Sequence, residues 1–451
     1  MTDRYDLPAG FRWGVSTAAY QIEGAVEEDG RGPSIWDAFC ERPGAVKNGD
    51  SGRVACDHYR RWPEDVALMK GLGLDGYRFS VAWSRVQPEG RGKANAAGLD
   101  FYERLVDGLL EAGIAPLPTL FHWDLPQALE DEGGWMQRET AFRFAEYAAL
   151  VADRLGDRVP AWITLNEPFV HMVFGYALGI HAPGHGLMLD ALPVAHHQLL
   201  GHGLAAADLR SRGLDVLIAN NLTPVRAASE AAEDRAAADA YDALHNRLFM
   251  DPLLLGRYPD LSAYGVGEDL HGAVRDGDLE LIAGPGLDGL GVNYYNPTRI
   301  AAPTDPGLPF TQAPIEGVPH THFGWPVVPD GLHELLVGLR ERYGDALPPI
   351  TITENGCSTD DAADTDPLDD SDRIAYLAGH LDALARAAAD GIDVRGYYTW
   401  SLLDNFEWAE GFSQRFGLVH VDFDTQVRTP RASYAWYRDL IVDHRAGRGR
   451  E

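Results

Sequence analysis

The chain has 451 residues, with 68 Asp and Glu against 38 Lys and Arg, which gives a formal net charge of −30. An acidic excess of this size repels nucleic acid and anionic membranes, so the composition argues against both as partners. Hydrophobic residues make up 45% of the chain, enough to bury a sizeable core. The three cysteines lack CxxC spacing, and no apolar run approaches the roughly 18 residues of a membrane span. Because residues 1–7 do not resemble a signal peptide, we expect a cytoplasmic protein.

Short segments rich in β-branched and aromatic residues recur along the chain and are predicted to be β-strands. In chain order these segments are 11–15, 76–83, 115–123, 161–166, 215–221, 289–295, 350–354 and 396–400. Amphipathic helices are predicted between them, most clearly at 99–112, 141–155, 331–343 and 371–390. Eight such alternations predict an α/β fold, a (β/α)8 TIM barrel, with residues 1–451 in a single domain. A doubly wound open sheet is the competing fold.

Several predicted strands end on polar or aromatic residues, although the bodies of the strands are apolar. The endings of this kind are His122-Trp123-Asp124, Asn166-Glu167, Asn293-Tyr294-Tyr295, Glu354-Asn355 and Trp400. In a (β/α)8 barrel the carboxyl ends of the strands form the mouth of the active site. Two long irregular segments, 301–322 and 357–372, are predicted to form loops at that same face.

Other ligand-binding motifs are incomplete. Two GxGxxG patterns, beginning at Gly71 and Gly284, precede predicted strands instead of opening helices, so they do not indicate a dinucleotide site. The five histidines from His181 to His202 lack the spacing of metal ligands. Asn221-Leu-Thr223 is a glycosylation sequon that we expect to be unused, because no secretory route is indicated. The sequence therefore predicts no cofactor and no metal.

Two of the predicted strands share one pattern, a glutamate beside an asparagine at the strand end. They read Thr164-Leu-Asn-Glu-Pro168 and Thr351-Ile-Thr-Glu-Asn-Gly356. We expect the following proline to bias Glu167 toward an extended backbone, and the glycine to allow a tight turn after Glu354. On the fourth and seventh strands of a barrel, the two carboxyl groups could approach to roughly 6 Å.

A carboxylate pair at this separation is typical of glycosidases. Retaining enzymes need about 5–5.5 Å and inverting enzymes about 6.5–9.5 Å, so the estimate leaves both mechanisms open. The chemistry requires one carboxyl to keep its proton and the other to be ionised. Arg78 is predicted to point into the same mouth, where its guanidinium would favour ionisation of a neighbouring carboxylate. For Arg78 the alternative is a structural ion pair, and for the two glutamates it is a pair of strand-end salt bridges.

Taken together, the chain resembles glycoside hydrolase family 1, the β-glucosidase family, over nearly its whole length. The matching segments are FRWGVSTAAYQIEG (11–24), YRFS (77–80), FHWDLP (121–126), TLNEP (164–168), GVNYY (291–295), ITENG (352–356) and YTWSLLDNFEW (398–408). Each segment is moderately specific, and their joint occurrence in this order makes the resemblance strong.

The resemblance implies a retaining exo-β-glycosidase that hydrolyses terminal β-D-glucosyl residues by double displacement. It implies that Glu167 is the general acid/base, that Glu354 is the nucleophile, and that Arg78, Asn293 and Tyr295 support the nucleophile. The residues that it implies for substrate binding are Gln21, His122, Trp123, Asn166, Trp325, Trp400, Glu407, Trp408 and Phe416.

The expected substrates are small neutral β-glucosides or cello-oligosaccharides, since Glu407 would repel a phosphorylated sugar. Within the family, a β-galactosidase or β-fucosidase and a transglycosylase stay open as alternatives. Outside it, a catalytically silent sugar-binding barrel is disfavoured because both carboxylates are present, and a metal-dependent barrel hydrolase is a further alternative. The sequence leaves open whether the protein is a monomer or a homo-oligomer.

Overall fold

The computed structural model describes residues 5–304, 307–359, 366 and 368–448, and its centre is a closed barrel of parallel strands. The eight barrel strands are β1 Arg12–Ser16, β2 Gly76–Ser80, β3 Ala115–Phe121, β4 Ala161–Asn166, β5 Asp215–Asn221, β6 Gly289–Asn293, β7 Ile350–Asn355 and β8 Val394–Trp400. Each strand pairs with the next in sequence, and β8 pairs with β1 to close the barrel. The predicted (β/α)8 barrel is therefore confirmed, and all eight predicted strands overlap observed ones.

Helices connect the strands and cover the outside of the barrel. The main ones are α1 His58–Leu72, α2 Ala96–Glu111, α3 Glu139–Leu155, α4 Leu192–Ser211, α5 Leu248–Leu255, α6 Asp330–Tyr343, α7 Ser371–Ala389 and α8 Ala432–Arg448. Shorter helices are Ala19–Ile22, Ile35–Cys40, Trp83–Val86, Gln127–Glu130, Pro168–Val170, Ala232–Asp242 and Asp278–Ala283. The described residues also contain two π-helical segments, His171–Ala177 and Ala243–Arg247. Among the described residues, we find no helix with both the length and the apolar character needed to cross a membrane.

The interior of the barrel is packed by side chains from several strands. Leu117, Ile163, Leu217 and Tyr398 meet there in one buried cluster. A Cβ atom on Gly14 of β1 would lie 2.3 Å from the ring of Tyr398. The glycine is thus required by close packing, because the tyrosine occupies the space that a side chain would need.

The two strand ends that carry the paired glutamates differ from expectation in their backbone. Glu167 has φ 45° and ψ 61°, so the predicted extended conformation is wrong. The left-handed conformation turns the chain from β4 directly into the helix that begins at Pro168, which an extended residue would not do. Gly356 is required for space, and its φ is not positive: a Cβ atom there would lie 1.8 Å from the carbonyl oxygen of Trp400.

Of the two long irregular segments, described residues of 301–322 lie at the carboxyl end of the barrel, and 357–359 follow within two residues of the end of β7. In the first, Thr311–Ala313 pairs with Thr298–Ala301, which also pairs with Val225–Ala227 in a small three-stranded sheet. In the second, residues 360–365 and 367 lie outside the described residues. The single-domain boundary of 1–451 stays a prediction.

A buried carboxylate, Asp404, fixes the segment after β8 against the start of α8. Asp404 is fully buried and accepts hydrogen bonds from Arg431 Nη2 at 2.8 Å and from the Gly417 amide at 2.9 Å. The Arg431 guanidinium is itself buried. The segment held in this way includes Glu407 and Trp408, so the ion pair positions part of the cavity described below.

We expect Asp404→Ala to lower the free energy of unfolding by about 3–5 kcal/mol, because the change removes a buried carboxylate that pairs with a buried guanidinium. Urea denaturation followed by tryptophan fluorescence measures this loss. Asp393→Ala is the control: Asp393 pairs with Arg395 at the surface, so its loss should cost no more than about 1 kcal/mol. Equal losses in the two variants would contradict the structural role of Asp404.

Candidate active site

A large cavity of about 1430 Å³ opens at the carboxyl end of the barrel. The predicted site residues that line it are His122, Trp123, Glu167, Tyr295, Trp325, Glu354, Trp400, Glu407 and Trp408. Gln21, Arg78, Asn166 and Asn293 lie behind this lining and hydrogen-bond to it. Phe416 packs with Trp400 and Trp325. The structure thus brings all the predicted site residues together at one face.

Glu354 is held by two donors at the end of β7. Arg78 Nη1 donates to Glu354 Oε1 at 2.5 Å, and the Tyr295 hydroxyl donates to Oε2 at 2.7 Å. Arg78 is fixed in turn, since its Nε donates to Thr119 Oγ1 at 3.1 Å. Burial raises the pKa of Glu354, and the Arg78 guanidinium is the largest influence that lowers it. The ion pair considered for Arg78 therefore exists, and its partner is Glu354 itself.

Glu167 has a different environment, since no salt bridge reaches it among the described residues. Asn293 Nδ2 donates to Glu167 Oε1 at 2.8 Å, and the Thr353 hydroxyl donates to Asn293 Oδ1 at 2.6 Å, which fixes the orientation of the amide. Burial and the nearby charge of Glu354 raise the pKa of Glu167 to about 8. At neutral pH Glu167 keeps its proton, whereas the guanidinium favours the ionised form of Glu354.

The backbone around the cavity is strained at four non-glycine residues. Trp123, Glu167, Met188 and Trp408 have φ values of 74°, 45°, 50° and 49°, in the left-handed region. Each such residue costs about 1–3 kcal/mol and persists only where the surrounding structure holds it, typically at functional sites. Trp123 is held by a hydrogen bond of 2.9 Å from its Nε1 to the carbonyl oxygen of Asn166.

Polar atoms near the floor of the cavity lack partners. Asn166 Oδ1 accepts from Arg78 and from Asn293, so its Nδ2 faces His122 Nε2 at 3.0 Å. His122 Nε2 is then the acceptor and Nδ1 carries the hydrogen. This Nδ1 and Gln21 Oε1 are buried and have no hydrogen-bond partner among the described residues. A buried donor and a buried acceptor without partners are what a hydroxyl-bearing ligand would satisfy.

Aromatic rings and a third carboxylate complete the inner part of the cavity. The rings of Trp123 and Trp408 pack with centroids 4.7 Å apart, and Trp400 stacks against His122 at 6.0 Å. Burial, and then the charge of Glu354, raise the pKa of Glu407 to about 8. A carboxyl group and hydrogen-bonding groups beside aromatic faces suit a ring with polar edges and apolar faces.

Exposed apolar side chains line the outer part of the cavity. Leu178, Ile180 and Met188 line it while remaining 45%, 51% and 49% exposed. Trp325 also lines the cavity and stacks on Phe323 with ring centroids 4.3 Å apart. Large apolar side chains exposed around one opening indicate that it receives an apolar group.

Asn221 and His245 also line the cavity, although the sequence did not mark them as site residues. The sequence marks Asn221 only as part of a sequon, yet its amide lowers the pKa of Glu167, against the larger effect of burial, which raises it. The signal that could have found it is the polar strand end, because Asn221 ends β5. His245 lies in a π-helical segment, and no feature of the sequence marked it.

The histidines between His181 and His202 serve in packing. His196 contacts Asp278 and Tyr258, and His202 Nδ1 lies 2.7 Å from Thr164 Oγ1. Across the part of the chain that the structure describes, no group of three His, Cys, Asp or Glu side chains is arranged to hold a metal.

Comparison with known proteins agrees with this site. The family model described as "Glycosyl hydrolase family 1" matches residues 3–446. The "Bifunctional beta-D-glucosidase/beta-D-fucosidase" of Bifidobacterium breve is 47% identical, over 98% of this chain and 99% of the relative. The "Thermostable beta-glucosidase B" of Thermobispora bispora is 50% identical, over 96% of this chain and 90% of the relative.

Solved structures show the same similarity. The psychrophilic β-glucosidase from Micrococcus antarcticus is 46% identical, with a TM-score of 0.92 over 98% of both chains. The family 1 β-glucosidase from Thermotoga maritima is 41% identical, with a TM-score of 0.92 over 97% of this chain and 98% of that one. Since the family match spans nearly the whole sequence, the resemblance found in the sequence is confirmed, and the chain belongs to glycosyl hydrolase family 1 and is an O-glycosyl hydrolase.

Proposed function

We propose that the protein is a retaining exo-β-glucosidase, with Glu354 as the nucleophile and Glu167 as the general acid/base. The observation that carries this assignment is the unequal environment of the two carboxyls. Arg78 and Tyr295 hold both oxygens of Glu354, whereas Glu167 is contacted by the neutral amide of Asn293. The first arrangement suits an anion that attacks, and the second suits a carboxyl that keeps its proton.

In the first step, an oxygen of Glu354 attacks the anomeric carbon of the bound glucoside. As the new C–O bond forms, the bond to the leaving-group oxygen breaks and Glu167 gives its proton to that oxygen. The products are a glucosyl ester on Glu354 and a free alcohol, while Glu167 is left as a carboxylate.

In the second step, water replaces the leaving group and the carboxylate of Glu167 takes a proton from it. The pKa of Glu167 is raised in the free enzyme partly by the charge of Glu354, and this charge is absent in the ester. The pKa of Glu167 therefore falls when the intermediate forms, which makes the same residue a base. The oxygen of water bonds to the anomeric carbon, the ester bond to Glu354 breaks, and the β configuration is retained.

The inner cavity fits the terminal sugar. The unpartnered His122 Nδ1–H and Gln21 Oε1 offer one donor and one acceptor to sugar hydroxyls, and Glu407 offers a carboxyl group. Trp400 and Trp408 offer aromatic faces to its C–H groups. Glucose is the proposed sugar because relatives at 43–50% identity are named β-glucosidases. A β-fucosidase activity is the second candidate, because the Bifidobacterium breve relative is named for both activities.

The outer cavity receives the leaving group. Its exposed apolar side chains favour small neutral β-glucosides with aryl or alkyl groups over cello-oligosaccharides, whose hydroxyls need polar partners. A cytoplasmic location stays a prediction, and the oligomeric state stays open.

Incubation with a 2-deoxy-2-fluoro-β-glucoside that bears a good leaving group should label Glu354. The fluorine slows both steps, and the leaving group compensates only in the first, so the ester accumulates. Peptide mass mapping locates the label, and Glu354→Gln is the control that should remain unlabelled. A label on another residue, or an inverted product without a label, would exclude the mechanism.

Glu167→Ala should lose about 10²–10⁴-fold in kcat/KM on alkyl glucosides, because poor leaving groups need the proton. The kcat/KM of this variant for a 2,4-dinitrophenyl glucoside should fall far less. Added azide should restore turnover and yield the β-glucosyl azide, which NMR identifies. An azide product of α configuration would contradict the assignment of Glu167 as the general acid/base.

The kcat/KM of the free enzyme should fall as the pH rises through about 8, where Glu167 loses its proton. On the acid side it should fall as Glu354 becomes protonated, since the nucleophile must be ionised. The pKa of Glu407 is also raised to about 8, so the fall in kcat/KM at alkaline pH has to be assigned to one of the two carboxyl groups. With a dinitrophenyl glucoside, Glu167→Ala should remove this fall. An unchanged fall would assign it to Glu407 instead.

A further inference from the structure

Residues 178–188 form one segment that supplies exposed apolar side chains to the cavity wall. Leu178, Ile180 and Met188 belong to it, and each lines the cavity while remaining about half exposed. The segment lies outside the barrel strands and follows the π-helical segment His171–Ala177. Because an apolar ligand gains free energy by covering such side chains, the position of this segment determines how well an apolar leaving group is bound.

Backbone hydrogen bonds fold the segment back onto the π-helical segment His171–Ala177. The His185 amide donates to the Gly175 carbonyl oxygen at 2.9 Å. The Leu187 amide donates to the Tyr176 carbonyl oxygen at 3.0 Å. These carbonyl groups lie at the end of a helix, where no further intrahelical donor is available. The backbone therefore joins the segment to a neighbour that itself lines the cavity.

The side chains of the segment make one hydrogen bond to the rest of the described chain, and it comes from His185. His185 Nε2 lies 2.6 Å from Glu130 Oε1. A carboxylate oxygen accepts, so Nε2 carries the hydrogen and donates. Neither residue belongs to the cavity lining formed by the described residues. The pair can thus act on a ligand only through the segment that His185 holds.

Glu130 is a fixed anchor for this bond. Its side chain is 8% exposed, and the Tyr176 hydroxyl donates to its Oε2 at 2.6 Å. The same hydroxyl accepts from the Trp135 amide at 3.1 Å. Gly134 packs directly against the carboxyl, since a Cβ atom there would lie 2.0 Å from Glu130 Oε2. The His185 ring lies beside the Tyr176 ring, with centroids 5.3 Å apart, and reaches the remaining oxygen.

We propose that His185 is a positioning residue for the leaving-group site: its hydrogen bond to Glu130 fixes residues 178–188, which bind the apolar part of the leaving group. The inference rests on the proposed function, in which the outer cavity receives that group. It goes further by assigning the preference for apolar leaving groups to a pair of residues behind the cavity wall.

The pair differs from an ordinary surface ion pair. The His185 side chain is 43% exposed, and exposed pairs contribute little to stability. Glu130, however, is nearly buried, so the loss of His185 leaves a buried carboxyl oxygen with one donor fewer. The expected effect is local, because the backbone bonds of the segment are kept and only its side-chain anchor is lost.

Alkyl β-glucosides of increasing chain length test the proposal. Methyl, butyl and hexyl glucosides have leaving groups of similar acidity, so the series varies the apolar area and leaves the chemistry unchanged. Their first step is slow, and KM therefore approximates the dissociation constant. A fully buried CH2 group gives about fourfold in affinity, so a partly exposed wall should lower KM about twofold for each CH2 group.

His185→Phe keeps a ring beside Tyr176 and removes the donor. The ratio of the KM for methyl glucoside to that for hexyl glucoside should shrink about fourfold, the contribution of about two CH2 groups at a partly exposed wall. The kcat values should stay within about twofold, because the residues that perform the chemistry are unchanged. His185→Gln, whose NH2 group restores a donor, should recover most of the ratio.

Two further variants test the two ends of the argument. Glu130→Leu removes the acceptor and should shrink the ratio to the same extent, and its combination with His185→Phe should add nothing. Ile180→Ser removes an apolar group from the segment itself and should also shrink the ratio. If Glu130→Leu does not fold, His185→Phe and Ile180→Ser carry the test.

His333→Phe is the matched control. His333 Nε2 lies 2.7 Å from Asp390 Oδ2 in a pair of the same chemistry, which joins α6 to the end of α7 away from the cavity lining. This variant should leave the KM ratio unchanged. Hydrogen–deuterium exchange of the amides in 181–187 should become faster in His185→Phe and stay unchanged in His333→Phe.

An unchanged KM ratio in His185→Phe or in Ile180→Ser would overturn the positioning role. An equal loss of kcat/KM on β-glucosyl fluoride, which carries no apolar leaving group, would overturn it as well. Turnover of this fluoride by the unsubstituted protein tests the proposed function separately. If the fluoride is hydrolysed with retention and the ratio does not change in the variants, the proposed function stands and this inference fails. If the unsubstituted protein does not turn it over, the proposed function itself fails.

Discussion

The ion pair between Arg78 and Glu354 is the interaction on which the rest of the site depends. Both groups are almost fully buried, and a buried charge without its partner is strongly unfavourable. The guanidinium, fixed by Thr119 and Asn166, sets which carboxyl is ionised. Once Glu354 holds the negative charge, that charge adds to the larger effect of burial in raising the pKa of Glu167 and of Glu407. One cation therefore orders the protonation of three acidic groups in a single cavity.

The barrel makes this ordering possible because it brings distant parts of the chain to one face. Arg78 lies in β2 and Glu354 lies in β7, and the two residues are 276 positions apart in the sequence. Closure through the pairing of β8 with β1 fixes the distance across the mouth. Parallel strands also place every carboxyl end on the same side, so each strand contributes a polar residue without disturbing the apolar core below.

Oriented side-chain amides also contribute to the electrostatics of the site. Asn166 and Asn293 link Arg78 to Glu167, and each has its orientation fixed by a neighbour that occupies its oxygen. Fixed dipoles of this kind need not reorganise when a proton moves, which is how a buried site stabilises changing charge. The strained backbone at Glu167, Trp123 and Trp408 also indicates a fixed arrangement. The surrounding structure keeps these residues in place at a conformational cost.

Local patterns in the sequence determined the strand and helix order, the barrel, and the pair Glu167 and Glu354, because strand periodicity and polar strand ends are properties of short segments. The tertiary structure decided what depends on approach between segments. It showed that Glu167 is left-handed, since the chain must turn at once into a helix, and that Gly356 makes room for the Trp400 carbonyl. It also brought His245 to Asn221 from a helix with no distinguishing motif. Sequence spacing cannot reveal such contacts, because closure of the barrel alone sets which side chains meet.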